Sequence, residues 1–258
     1  MFENILNQAI RYSHNIFKGK TANISYYSPE FRGENKKTRH SSEAIQKRNE
    51  KLDKLQNELY QLYDLEEQYN YILSIQNHNL VGNCNELSFI VFMYLLKKES
   101  KEILEYYRKN SLSGSSKKEN PIYIQIIATA HPPYNHSFVM ISCANDYPDS
   151  KMQIDNKYID LPENAWICDP WANIVCLSKN YNTQWKNKMH QWSAQGKCLY
   201  LGNLSQPSKN QLVATPPGDE FSPINHNIYF TIQNSKKVIQ HRAIITPNGN
   251  IEIYDDDE

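Results

Sequence analysis

At Pro121 the hydrophobic pattern changes period, and that change limits the chain to folds that join helices to a sheet. Before it, apolar residues recur every three to four positions; after it, β-branched runs alternate with turns. Residues 3–17 read as a short helix with Ile5, Leu6, Ala9, Ile10 and Phe17 on its apolar side. Lys18–Ser42 reads as a loop, and Ser41 or Ser42 can cap a long helix from Glu43 to about Ile75. Leu52, Leu55, Leu59, Leu62, Tyr69 and Leu73 form its stripe, with Ile45 ahead, Glu66 interrupting, and Leu65 and Ile72 on an adjoining face. Such a stripe must pack, either within the chain or against a helper or regulatory partner, and Glu50 with Lys54 supports it as an i,i+4 pair. Leu87 to Leu96 is apolar on every side, the mark of a buried central helix, and Ser100–Lys109 forms another.

Pro121–Ala128 and His136–Ser142 then read as strands around a turn at His131-Pro132-Pro133-Tyr134-Asn135. Ala165–Cys168 is a third strand, ended by Asp169-Pro170, with a short strand at Tyr158-Ile159 before it. Tyr181–Ala194 is helical, with Tyr181, Trp185, Met189 and Trp192 on one core face and Gly196 as its stop. Gly202–Asn225 is an irregular loop. Strands follow at Ile228–Ile232, Val238–Ile245 and Ile251–Tyr254, the last two joined through Asn248-Gly249. Helices first and a mostly antiparallel sheet afterwards define an α+β chain. The division expected is a helical region, 1–75, and a catalytic domain, 76–258.

Composition excludes several functions. Lys and Arg balance Asp and Glu at 28 each, so no basic field exists for nucleic acid or an anionic membrane. No apolar run approaches the length of a membrane span, and the N-terminal residues lack the basic and apolar regions of a Sec-type signal peptide. Five cysteines without regular spacing argue for reduced thiols rather than a disulfide framework. Cys168 and Cys176, eight apart, are not spaced for zinc, and no phosphate-binding loop, dinucleotide fingerprint or His-Glu-x-x-His occurs. No metal and no cofactor is expected.

The chemistry concentrates at Gly82-Asn83-Cys84-Asn85-Glu86, where a polar loop meets the buried helix. A cysteine on the first helical turn faces unpaired N–H groups and the positive end of the dipole, which favour thiolate. His136, opening a strand, is the best base, and Asp169, ending the next convincing strand, is the best orienter; His131 competes with the first, Asp155 and Asp160 with the second. Oxyanion donors would be the Cys84 backbone N–H and a side-chain amide from Gln76, Asn79 or Asn83. Gly82, Glu86 and Trp171 are candidate substrate contacts. Gly82 would give a carbonyl room beside the backbone; Glu86 would complement the dipole as a surface acid or hold the loop before Cys84. Cys143, Cys168, Cys176 and Cys198 read as inert core thiols.

Gly82-Asn83-Cys84-Asn85-Glu86, His136-Ser137-Phe138-Val139 and Cys168-Asp169-Pro170-Trp171 resemble the nucleophile, base and acid motifs of bacterial papain-like thiol enzymes, among them effector and toxin deamidases, transglutaminases and proteases. The resemblance covers roughly residues 76–200. It implies a papain-like α+β fold with Cys84, His136 and Asp169 as a triad. It also implies a host-cell protein as substrate, and export by a route that needs no signal peptide. Deamidation or transamidation of a glutamine, or peptide cleavage by the same triad, would follow from one thioester. A non-enzymatic binding module with a structural cysteine is the contrasting reading.

Overall fold

The computed structural model describes residues 2–19, 21–26, 42–76, 79–110, 120–130, 135–146, 159–200, 221–223 and 231–255. The chain is α+β and forms two compact units. One comprises Met1–Ser13, Cys84–Gln184 and Ile232–Glu258; the other comprises His14–Asn83 and Trp185–Thr231. These units interleave along the chain, whereas the expected division runs at residue 75.

The first unit is built on a six-stranded sheet of order β5-β4-β3-β2-β8-β9. Its strands are β2 (Ile122–Ala130), β3 (His136–Cys143), β4 (Trp166–Asp169), β5 (Ile174–Leu177), β8 (Lys236–Ile245) and β9 (Ile251–Asp255). All neighbouring pairs are antiparallel. Every residue of β3 is buried, so this strand lies in the core with both faces covered. Helix α4 (Cys84–Lys98) packs on β3 and β2, and its apolar circumference is explained by burial of Leu87, Ile90, Val91, Phe92 and Leu95. The start of helix α1 (Phe2–Ile16) belongs to this unit because Phe2 stacks on Tyr106 at 4.2 Å and meets the edge of Trp166. Tyr106 lies on α5 (Ser100–Asn110).

Two features of this sheet were not expected. The four-residue β5 is one; it returns along β4 after a tight turn in which Asn173 adopts φ 56°. The other is a bulge in β8: Ile126 faces His241 while Ile127 faces Ile239, leaving Gln240 as the extra residue. The Asn248-Gly249 hairpin forms as read, with Gly249 at φ 84° and Thr246 N donating to Asn250 O at 2.8 Å.

In the second unit the expected long helix is two helices, α2 (Ser42–Tyr60) and α3 (Leu65–Ile75). Asp64 breaks it, accepting from Glu66 N at 2.6 Å and Glu67 N at 3.1 Å as an N-cap, with two acids in the next turn to favour the dipole. Within α2, Lys54 pairs with Glu58, at 3.8 Å, in place of the expected Glu50. Leu52 packs with Ala22 and Val81, and Ile45, Leu55, Leu65, Tyr69 and Ile72 are also buried, while Leu59, Leu62 and Leu73 are half-buried. A small sheet of order β1-β6-β7 joins Ile24–Tyr26, Lys197–Tyr200 and Phe221–Pro223. These pairings are too distant in sequence for a local pattern to reveal.

Helix α6 (Ser178–Ala194) begins three residues earlier than read and buries Tyr181, Trp185, Met189 and Trp192. Gly196, at φ 68°, ends it. Thr231 and Ile232, expected as the end of a strand, instead open the short helix α7 (Thr231–Asn234). Residues 224–230, the His131–Tyr134 turn, Asp155, Tyr158 and most of the two expected loops, Lys18–Ser42 and Gly202–Asn225, lie outside the described residues. No described helix is long and apolar enough to cross a membrane.

Candidate active site

Cys84 is the first residue of α4, where the sequence places it, and it is partly exposed. His136 is the first residue of β3 and Asp169 the last of β4. Strand register explains why these two meet. Val139 lies opposite Cys168, which sets His136 and Asp169 on the same face at adjoining strand ends. His136 Nε2 donates to Asp169 Oδ2 at 2.8 Å, and the two side chains are 4% and 0% exposed. The Cys84 side chain is near enough to the same imidazole to raise its proton affinity. With Nε2 committed to the carboxylate, Nδ1 is the ring nitrogen left for the thiol. All three residues fall within the first unit.

Neighbouring polar groups hold this arrangement. The Thr129 hydroxyl accepts from His136 N at 3.0 Å and donates to His136 O at 3.3 Å, fixing the strand end. Ser88 on α4 donates to Ser137 O at 3.1 Å, and the Ser137 hydroxyl meets the side chains of Asn85 and, at 3.3 Å, Gln240. The residues that follow Cys84 and His136 are thus tied to one another, and the bulge at Gln240 supplies a third side chain to the knot. Trp171 covers His136, its ring centroid 5.2 Å away at 53°. At 9% exposure it is a wall of the base.

Asp169 has a fuller set of donors than the sequence suggests. Ala172 N donates to Oδ1 at 3.0 Å, and Tyr181 Oη donates to Oδ2 at 2.8 Å. Burial pulls the His136 proton affinity down, but the Asp169 charge and hydrogen bond, with the Cys84 contact, overcome it and raise the pKa to about 10. Burial, then the Asp169 charge, pushes Tyr181 well above its ordinary 10, so the phenol remains a donor. Cys176 is driven to about 12 and Cys168 well above 9, again by burial first and Asp169 second; both are buried, inert thiols. Cys143 is buried too, while the Cys198 side chain lies outside the described residues.

The other predicted positions have separate placements. Gln76 caps the end of α3, Asn79 is exposed at φ 52°, and Asn83 Oδ1 accepts from Thr21 Oγ1 at 2.8 Å and Ala22 N at 3.1 Å. All three belong to the second unit. The Asn83 carbonyl therefore anchors the 21–22 segment. Gly82 does not leave open room: a Cβ there would stand 2.7 Å from the Phe17 ring, so its smallness serves packing. Glu86 is 6% exposed, which excludes the surface-acid role. Asp160 lies beside Lys237, not at the imidazole, and no described group of three or more His, Cys, Asp or Glu is arranged for a metal.

The chain matches no family model, no curated protein and no solved structure.

Tyr181 and Thr129 were missed for different reasons. Tyr181 stands on the helical stripe that was read as core, and periodicity reports burial without naming what a hydroxyl bonds. Thr129 follows a β-branched run and resembles any strand residue. Its cross-strand position opposite His136 would have revealed it once the hairpin register was known.

Proposed function

We propose that the chain is a papain-like thiol enzyme that acts on glutamine side chains of a protein, as a deamidase or transglutaminase. The observation that carries this is the buried Asp169–His136 pair, whose imidazole also feels the Cys84 side chain. His136, kept protonated at neutral pH by its raised pKa, holds that proton on Nδ1 toward Sγ while Nε2–H stays on Asp169, and the sulfur attacks as thiolate. Sulfur adds to the side-chain amide carbon, and the carbonyl π-electrons move to oxygen. N–H groups of the first turn of α4 are the natural donors for that oxyanion. As the adduct collapses, the C–N bond breaks, His136 gives its proton to nitrogen, and ammonia leaves behind a thioester. Water then yields glutamate, or an amine yields a new amide, and the thiol is regenerated. No cofactor enters the scheme. Peptide cleavage would use the same steps with a main-chain amide, and the choice lies in which carbonyl the surface admits.

In this reading the substrate is a host-cell protein and the enzyme an exported bacterial effector. Host-cell extract incubated with the protein, and in parallel with Cys84→Ala, decides between the outcomes by quantitative peptide mass spectrometry. Conversion of glutamine to glutamate or to an amine adduct, absent with Cys84→Ala, is expected. New chain ends without side-chain conversion would replace the glutamine reading by proteolysis. Identical peptide sets from the two proteins would overturn both.

A further inference from the structure

Asp169 Oδ2 is shared. His136 Nε2–H and Tyr181 Oη–H both approach it at 2.8 Å, while Oδ1 takes the Ala172 amide. We propose that Tyr181 is a positioning residue that sets how tightly His136 is held, by competing with the imidazole for the same carboxylate oxygen. The proposal deepens the acyl-transfer reading, since it assigns a control on the base of that reaction.

Two things make the competition effective. Tyr181 and Asp169 are both 0% exposed, so no water relieves or replaces either bond. Tyr181 is also fixed by packing, with its ring 4.9 Å from Phe138, the strand neighbour two residues beyond His136. The charged and titratable groups around the carboxylate are His136 from β3, Cys84 from α4, Cys176 from β5, Tyr181 from α6 and its own neighbour Cys168, with Glu3 of α1 reaching Cys176. Tyr181 is a donor over the whole working range because burial and the carboxylate hold its proton. A phenol proton on Oδ2 withdraws charge from the lone pairs that His136 uses. The carboxylate can then orient the ring without binding the imidazolium so strongly that the proton fails to reach the leaving nitrogen.

The test reads the His136 Nε2–H proton by NMR in ¹⁵N-histidine-labelled full-length protein at neutral pH, with His136→Gln for assignment. Tyr181→Phe removes the competitor and is expected to move the resonance further downfield, as the His136–Asp169 bond strengthens. A 3-fluorotyrosine placed at position 181 is a stronger donor of nearly the same shape and is expected to move it upfield. The fluorinated protein keeps the hydroxyl and its packing, so it decides the matter alone if Tyr181→Phe does not fold. An unmoved resonance in the folded proteins, or shifts of the same sign in both, would overturn the proposal and leave Tyr181 as a packing residue. Because the signal requires no turnover, it is independent of whether glutamine is the substrate.

Discussion

His136 and Asp169 form an ion-pairing hydrogen bond of 2.8 Å at the ends of neighbouring strands, and solvent reaches neither to a useful extent. A buried pair of this kind costs solvation on both sides, so removing one charge exposes how much the other depends on it. Asp169→Asn keeps the volume and an acceptor oxygen but removes the charge that offsets the burial of His136. Burial is the largest influence on this imidazole and acts downward, so its pKa should fall from about 10 to below the ordinary 6.5. Acylation of Cys84 is expected to slow by about 10²-fold or more, measured as the burst rate with p-nitrophenyl acetate.

The same pair makes stability depend on pH in a defined window. His136 has a folded-state pKa near 10 against an ordinary value of 6.5, so it binds its proton more tightly when folded. Its contribution is therefore complete below about 6.5 and is lost as pH rises through 10, with a size on the order of a few kcal/mol. Urea unfolding of Cys84→Ser from pH 6.5 to 10.5 should show this decline. The same series in Cys84→Ser with Asp169→Asn should lack most of it, and parallel curves would contradict the assignment.

Thr129 holds the backbone of the base through both its N–H and C=O. Thr129→Val preserves shape and leaves the buried His136 N–H without that acceptor, at an expected cost of about 1–3 kcal/mol. Thr129→Ser should restore most of the loss. Urea midpoints measure the stability change, and the burst rate reports whether a shifted strand end also misplaces the ring.

Gly82, two residues before the nucleophile, is constrained by the Phe17 ring 2.7 Å from where a Cβ would stand. Gly82→Ala is expected to destabilise by about 1–3 kcal/mol through overpacking. Phe17→Leu in the same chain should recover part of that loss in a thermal melt. Recovery would place the role of Gly82 in packing; a normal melt for Gly82→Ala with a slowed burst would instead return it to the reaction.

Much of this site is written in short stretches. A polar loop running into an apolar helix locates Cys84, a turn followed by β-branched residues locates His136, and Asp-Pro after a short strand locates Asp169. Each is local punctuation, and local punctuation survives folding. The partners that tune these residues are not local. Tyr181 reaches Asp169 across twelve positions and Gln240 reaches Ser137 across 103, and neither bond leaves a periodic trace. The helix break failed for another reason: the leucine stripe passes through Gln61–Asp64, and propensity along it outweighed one capping aspartate in the reading, while the cap prevailed in the fold.

The central claim is that His136 activates Cys84 for acyl transfer, and the most direct measurement is acetylation by p-nitrophenyl acetate followed by intact and peptide mass spectrometry. The expected result is a stoichiometric burst with the acetyl group on Cys84, abolished in Cys84→Ala and slowed by about 10²–10⁴-fold in a folded His136→Gln variant. Acetylation of Cys84 at the same rate with and without the imidazole would contradict it.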